Sequence, residues 1–442
     1  MIELFYVVFI VFLIYLLERN KDFIYVFPMF QVVVDASFSY FPVLSFATFY
    51  RAAMLIIFVL YFIKYIRPAP IANNIYAFLI LSGILAVGSQ ELLYSLKAYS
   101  QVFLSMIMFP IGLYFINTDK KYDKLINSLV PVIYISLAFI LMGYLFHAGK
   151  SLEYSSIEGE EDIIGLLGSG GLYSAGIGLG LLPIILPQMT NRWKKRALII
   201  AAVIQYIFIL LNVRRTAIII PLIGILVAIL YMKRNPKLII GLVSAILLFI
   251  ILLPFYEGIL IQRIGIREQQ RQNKFLTSDF YKQEARYKEN ISLFGEYLEF
   301  AHPLNDLLAL NNNAFAENIK NSKSVSRMYH TDTAKLLYGT GIVGLLLYLL
   351  IILKAFEVIF KYRRKGAKNN KYFITSLSLL LIILFVTFNG SITLIAFRSI
   401  LFLILGASTG MQRRTYIKYL YLTKIYKENK INGRILSFQE QF

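Results

Sequence analysis

Runs of residues without a single charge decide what this chain can be. Residues 197–213, 216–232 and 238–256 contain no Asp, Glu, Lys or Arg. At about 1.5 Å of rise per residue, each nearly crosses a hydrocarbon core of about 30 Å. They must be helices, because a lone strand in lipid would leave its backbone N–H and C=O groups unpaired. With 58% apolar residues, 16% charged and a mean hydropathy of +0.65, the chain lies outside the range of soluble domains.

The expected fold class is therefore all-α, a polytopic integral membrane protein of about 12–13 transmembrane helices. One large external loop, itself carrying short helices, interrupts them. The spans fall at 2–17, 23–38, 46–66, 74–90, 95–116, 126–147, 167–188, 197–212, 216–232, 238–254, 335–360, 373–388 and 391–408. The count drops by one if the first two form a re-entrant pair. Residues 2–17 lack a basic leader and a small-residue cleavage site, so they read as a retained span and not a signal peptide. The chain thus divides into transmembrane helices (1–254), an external loop (255–334) where a soluble-phase group could meet a membrane-held one and chemistry is therefore expected, C-terminal transmembrane helices (335–408) and a basic tail (409–442).

A net charge of +20 would suit nucleic acid, but its placement points to membrane topology instead. Clusters stand in short turns: Arg192, Lys194, Lys195 and Arg196; then Lys233, Arg234 and Lys237; then Lys361, Arg363, Arg364, Lys365, Lys368 and Lys371. These are positive-inside signals. Seven further basic residues between Arg413 and Arg434 are expected to lie along anionic cytoplasmic lipid. Walking back from that tail puts the polar residues 255–333 and the acidic turn 153–162 outside, and with thirteen spans it puts the N-terminus outside too. The absence of cysteine excludes disulfides and thiolate metal sites. No Asp/Glu/His cluster suggests a bound cation, and no nucleotide motif is present, so no cofactor is expected.

Within the external loop, Tyr287, Ile291, Phe294 and Leu298 recur at helical spacing, which predicts an amphipathic helix. The asparagine-rich residues 311–326 predict an irregular segment. Several cations oppose the topology rule: Arg51, Lys97, Arg214, Arg215, Arg263, Arg267, Arg286 and Arg398. Arg214 and Arg215 occupy the only break between two apolar runs, where two adjacent cations would repel unless an anion lay between them. Guanidinium groups make bidentate bonds to phosphate oxygens, and an external lipid-borne pyrophosphate is the natural partner. Arg398 is expected about seven residues, or roughly 10 Å, inside the last span. Snorkelling, or pairing with Glu91 or the acidic turn, is the plain alternative for Arg51, Lys97 and Arg398.

His330 stands just before the span that follows the loop, and histidine accepts a proton near neutral pH. Asp332 could orient its imidazole or act as the base. His147 and His302 read as ordinary polar residues. The run "GSGGLYSAGIGLG" (168–180) lacks the Lys-Ser/Thr ending of a phosphate-binding loop, so close helix packing explains it better.

Three local patterns resemble the O-antigen polymerase and O-antigen ligase superfamily, bacterial membrane glycosyltransferases that use undecaprenyl pyrophosphate-linked glycans. They are Arg215 in "RRTA" between two spans; arginines after a span ending near Pro254, with Arg286 further along the loop; and "HTDTAKLLYGTGIVGLLLYLL" at the loop's return to the membrane. The likeness covers residues 197–350. Before the histidine, "HPLNDLLALNNNAFAEN" replaces the family's glycine-rich segment.

The resemblance implies an inverting, metal-independent transfer in the cytoplasmic membrane, with catalysis at its external face. Arg215 and His330 would be the catalytic residues. Arg214, Arg215, Arg263, Arg267 and Arg286 would bind the pyrophosphate, with Asp332, Arg51, Lys97 and Arg398 in support. The implied partners are the lipid-linked donor, a glycan acceptor that is itself lipid-linked, membrane lipids and a chain-length regulator, with no nucleic acid. Polymerase is preferred to a ligase using a different acceptor. A flippase for lipid-linked glycans is the alternative from another class.

Overall fold

The computed structural model describes residues 23–38, 53–54, 57, 60–89, 92–146, 167, 169–211, 215–232, 331–363, 371–389 and 394–431. The expected spans 2–17 and 238–254, most of 46–66 and the loop 255–330 lie outside the described residues. So do the expected amphipathic helix of that loop and its asparagine-rich segment. The described chain is all-α, and the protein is a polytopic membrane protein. In order, its helices are α1 (Phe23–Phe38), α2 (Pro70–Val87), α3 (Leu92–Phe115), α4 (Asp119–Asn127), α5 (Leu129–Phe146), α6 (Ser169–Gly180), α7 (Leu182–Ile185), α8 (Arg192–Leu211), α9 (Arg215–Tyr231), α10 (Asp332–Lys361), α11 (Lys371–Asn389) and α12 (Ile395–Ile431). Among the described residues six helices are long and apolar enough to cross a membrane, α4 and α5 counting together as one. A bent pair, 47° between Gly170–Gly180 and Leu182–Gln188, makes a seventh if taken as one span.

Helix α12 is the axis of the bundle, and its apolar window is wholly buried. It packs most extensively on α3, and small residues let the two backbones touch. A Cβ added to Gly112 would strike Leu403 O, one on Gly406 would strike Phe109 O, and one on Gly410 would come within 2.6 Å of Leu113 O. Lipid offers no hydrophobic drive for helices to associate, so such backbone approach supplies the attraction. Gly406 and Gly410 are four residues apart and share one face.

The glycine-rich run does the same for α6 on α9, as its composition suggested. Gly176 lies under Ile220, and Gly180 lies against Gly224 backbone to backbone. That register runs parallel and puts the start of α9, at Arg215, level with Gly171.

Aromatic and basic contacts define one end of the bundle. Phe373 meets Tyr231 and Phe360 edge to face at 5.2 and 5.7 Å, and the Arg363 guanidinium lies over both Tyr231 and Phe373. Arg414 donates to Ile116 O and Leu113 O at 2.8 and 2.7 Å, capping the last turn of α3. The short helix α4 was not anticipated. Thr118 accepts from Lys121 N at 3.3 Å to cap it, and Tyr122, Leu125 and Ile126 bury one face. Its Asp119 and Asp123 accept from Tyr372 and Lys371 at 2.7 and 2.5 Å. With α8 starting here too, this end gathers the basic clusters of the described chain.

Two expected boundaries shift. The span expected from 335 begins at Asp332, so residues 331–334 belong to the bundle interior. The division expected at 408–409 falls inside α12, which continues unbroken to Ile431.

Candidate functional site at the end opposite the basic clusters

The opposite end is built from the starts of α3, α6, α9, α10 and α12 and the ends of α1, α2 and α11. Asp35 near the end of α1 accepts from Gly171 N at 2.7 Å, which caps α6. Tyr173 of α6 meets Phe397 of α12 edge to face at 5.6 Å. One residue on, the first turn of α12 carries Arg398, with no exposed surface, in the middle of the bundle.

Arg398 is the largest fully buried side chain among the described residues, and a buried guanidinium needs a counter-charge. The counter-charge is Asp332, also without exposure, whose Oδ2 accepts from Arg398 Nη2. The sequence expectation puts Arg398 about seven residues inside the last span; it sits in the first turn of α12, and its ion-pair partner is Asp332, which answers the alternative of snorkelling or pairing with Glu91 or the acidic turn. Tyr348 completes the cluster. Arg398 Nη1 donates to its hydroxyl at 3.4 Å, and that hydroxyl donates to Asp332 Oδ2 at 3.4 Å. Thr387 of α11 lies 3.5 Å from the same hydroxyl, but its own proton goes to Ile383 O at 2.8 Å. Tyr348 has one proton to give, so the Thr387 contact is the weakest of the set.

Asp332 and Tyr348 meet only because α10 is not one straight helix. Sixteen residues of helix would separate their Cα atoms by about 24 Å, twice what an Asp and a Tyr side chain can bridge. The helix breaks at Gly341, where φ is 66° and ψ −170°. Only glycine adopts that conformation without strain. The half-helix 332–340 therefore folds back, bringing its beginning beside Tyr348. Every residue from Thr331 to Gly341 is buried. Thr331 caps the half-helix, accepting from Ala334 N and from Thr333 Oγ1, each at 3.2 Å.

Of the residues singled out from sequence, Asp332 and Arg398 are brought into contact. Arg215 begins α9 at this same end, level with Gly171, which neighbours the start of α12 through Gly170 and Ala396. Lys97 is exposed in the second turn of α3. His330, Arg51, Arg214, Arg263, Arg267 and Arg286 lie outside the described residues, as do His147 and His302. Chain connectivity nevertheless attaches His330 to the buried cap Thr331. Tyr348 and Thr387 escaped sequence reasoning; Tyr348 lies in an apolar run with nothing local to mark it. Among the described residues no group of His, Asp and Glu could hold a metal ion.

No family model matches the chain, and no curated protein matches it either.

Proposed function

We propose that this protein is a glycosyltransferase of the bacterial cytoplasmic membrane, polymerising lipid-linked oligosaccharide repeat units at the external face. An acceptor hydroxyl attacks the anomeric carbon of a sugar held on undecaprenyl pyrophosphate. The anomeric C–O bond breaks, the configuration inverts, and the electron pair leaves on the pyrophosphate. Arg215, with Arg214 and loop arginines 263, 267 and 286, neutralises that growing charge. His330 takes the acceptor's proton. The donor is already activated, so no nucleotide is consumed.

The observation that carries this reading is the run that opens α10. Thr331, the residue after His330 in the chain, caps a buried half-helix tied to Arg398, at the end of the bundle where α9 begins with Arg215. That no basic cluster stands at that end among the described residues supports its being external. The resemblance of "HTDTAKLLYGTGIVGLLL" to the O-antigen polymerase and ligase pattern points the same way.

Purified protein in lipid vesicles, given lipid-linked repeat units alone, is expected to yield a ladder of lengthened glycans. Product that forms only after a second, different acceptor is added makes the protein a ligase. Movement of intact donor between leaflets without a new bond makes it a flippase. His330→Ala is expected to lower turnover by about 10²–10⁴-fold with donor binding retained. Unchanged turnover would reject His330 as the base.

A further inference from the structure

A half-helix cut from its continuation at Gly341 has lost the backbone hydrogen bonds that would otherwise carry position across the break. Its orientation must come from side chains, and the contact with most leverage is the one farthest from the break. That contact is Asp332, at the opposite end of the nine residues 332–340. We propose that Arg398 is a positioning residue: it holds Asp332, anchors the folded-back half-helix, and so steadies the chain at His330. It does not itself grip the lipid diphosphate. The His330 part rests on the function proposed above; the anchoring of the half-helix does not.

Three observations carry this assignment. Arg398 belongs to the central helix, whose apolar window is wholly buried, and it has no exposed surface through which a lipid headgroup could reach it. Both of its terminal nitrogens are engaged, Nη2 by Asp332 and Nη1 by Tyr348. Its charge is matched by a carboxylate in direct contact, so the charge left over in the cluster is that of Lys335, buried on the same half-helix and also acting on Asp332, and not that of Arg398. Arg398 Nε and Asp332 Oδ1 make no further hydrogen bond among the described residues. The pair is therefore held by one contact and by Tyr348, with the charge of Lys335 acting on Asp332 as well.

The test uses the full chain in lipid vesicles, with hydrogen exchange of the peptide covering 331–341 and turnover of the lipid-linked donor measured side by side. Arg398→Gln takes from Asp332 its ion-pair partner and leaves it only the charge of Lys335, so exchange in 331–341 should rise and kcat should fall by about 100-fold, the scale set by a misplacement of about 1 Å, with KM for the donor nearly unchanged. Arg398→Lys keeps the charge and should recover part of both. The double variant Asp332→Asn with Arg398→Gln removes both charges while leaving two amides to bond, and it should restore protection and most of the lost turnover. A double variant that is protected yet inactive, or one with donor KM raised about tenfold or more, would overturn the proposal, because Arg398 or Asp332 would then act on substrate directly. Exchange in 331–341 that ignores Arg398→Gln would overturn it as well. If the unaltered chain turns over no lipid-linked glycan, the function proposed above fails, and the exchange pattern alone still decides the anchoring.

Discussion

At the basic end of the bundle Lys371 meets Asp123 at 2.5 Å, with side chains 32% and 35% exposed; at the opposite end Arg398 meets Asp332 with neither exposed at all. Both pairs join elements far apart in sequence. Water and salt reach the first pair and share in stabilising its charges, so its loss leaves nothing stranded. The second is buried: Arg398 has Asp332 for its counter-charge, and Asp332 also feels the charge of buried Lys335. The first fastens α4 onto α11; the second holds the beginning of a half-helix inside the bundle. An equal contact in the two places therefore carries unequal consequences.

Single substitutions should expose that inequality most strongly. Arg398→Ala should cost about 3–5 kcal/mol, as expected when one member of a buried pair is left behind, measured as a drop in unfolding midpoint in detergent. A loss no larger than that of Lys371→Ala would break the comparison. Gly341→Ala should come next, at about 1–3 kcal/mol, because alanine cannot adopt φ 66° with ψ −170° without strain. Its hydrogen-exchange signature should stay within 331–341; a spread across α11 and the rest of α12 would mean that the half-helix is not a separable unit.

Lys371→Ala should cost up to about 1 kcal/mol, since a pair that is a third exposed is partly screened. Salt should give the smallest effect and the sharpest contrast. Raising ionic strength from about 0.1 to 1 M shortens the screening length from about 10 to about 3 Å. The stability difference between wild type and Lys371→Ala should shrink accordingly, while that between wild type and Arg398→Ala stays put. If both shrink alike, solvent reaches Arg398.

Much of the bundle was legible before any coordinates, for a simple reason. Lipid removes every alternative to a helix, so a charge-free run reports both its structure and its length. Residues 23–38 were bounded correctly from composition alone, and most other described helices begin or end within a few residues of expectation. The glycine run 168–180 was legible as a packing surface because its small residues recur where a neighbouring helix could approach. Helix α4 was not, although Thr118 and the apolar spacing of Tyr122, Leu125 and Ile126 mark it in retrospect. Five charged residues within its nine hide it among the polar turns between spans.

The candidate site was legible only in part. Arg398 stood out as a charge inside an apolar span and Asp332 as a carboxylate two residues from His330, but nothing in the order of residues says that they are partners across 66 positions. Nor does the run "YGTGIVG" announce which of its glycines breaks the helix, because a glycine inside a membrane helix is also a common packing residue.

Membership of the membrane, the helical class and the alternation of basic and non-basic turns follow from hydropathy and charge, which are properties of single residues summed over short windows. The pairing of Arg398 with Asp332, the fold-back at Gly341 and the shared end of α9 and α10 depend on which helices become neighbours. That is settled by backbone contacts such as Gly112 with Leu403 and Gly180 with Gly224, and close approach between distant segments leaves no periodic trace along the chain.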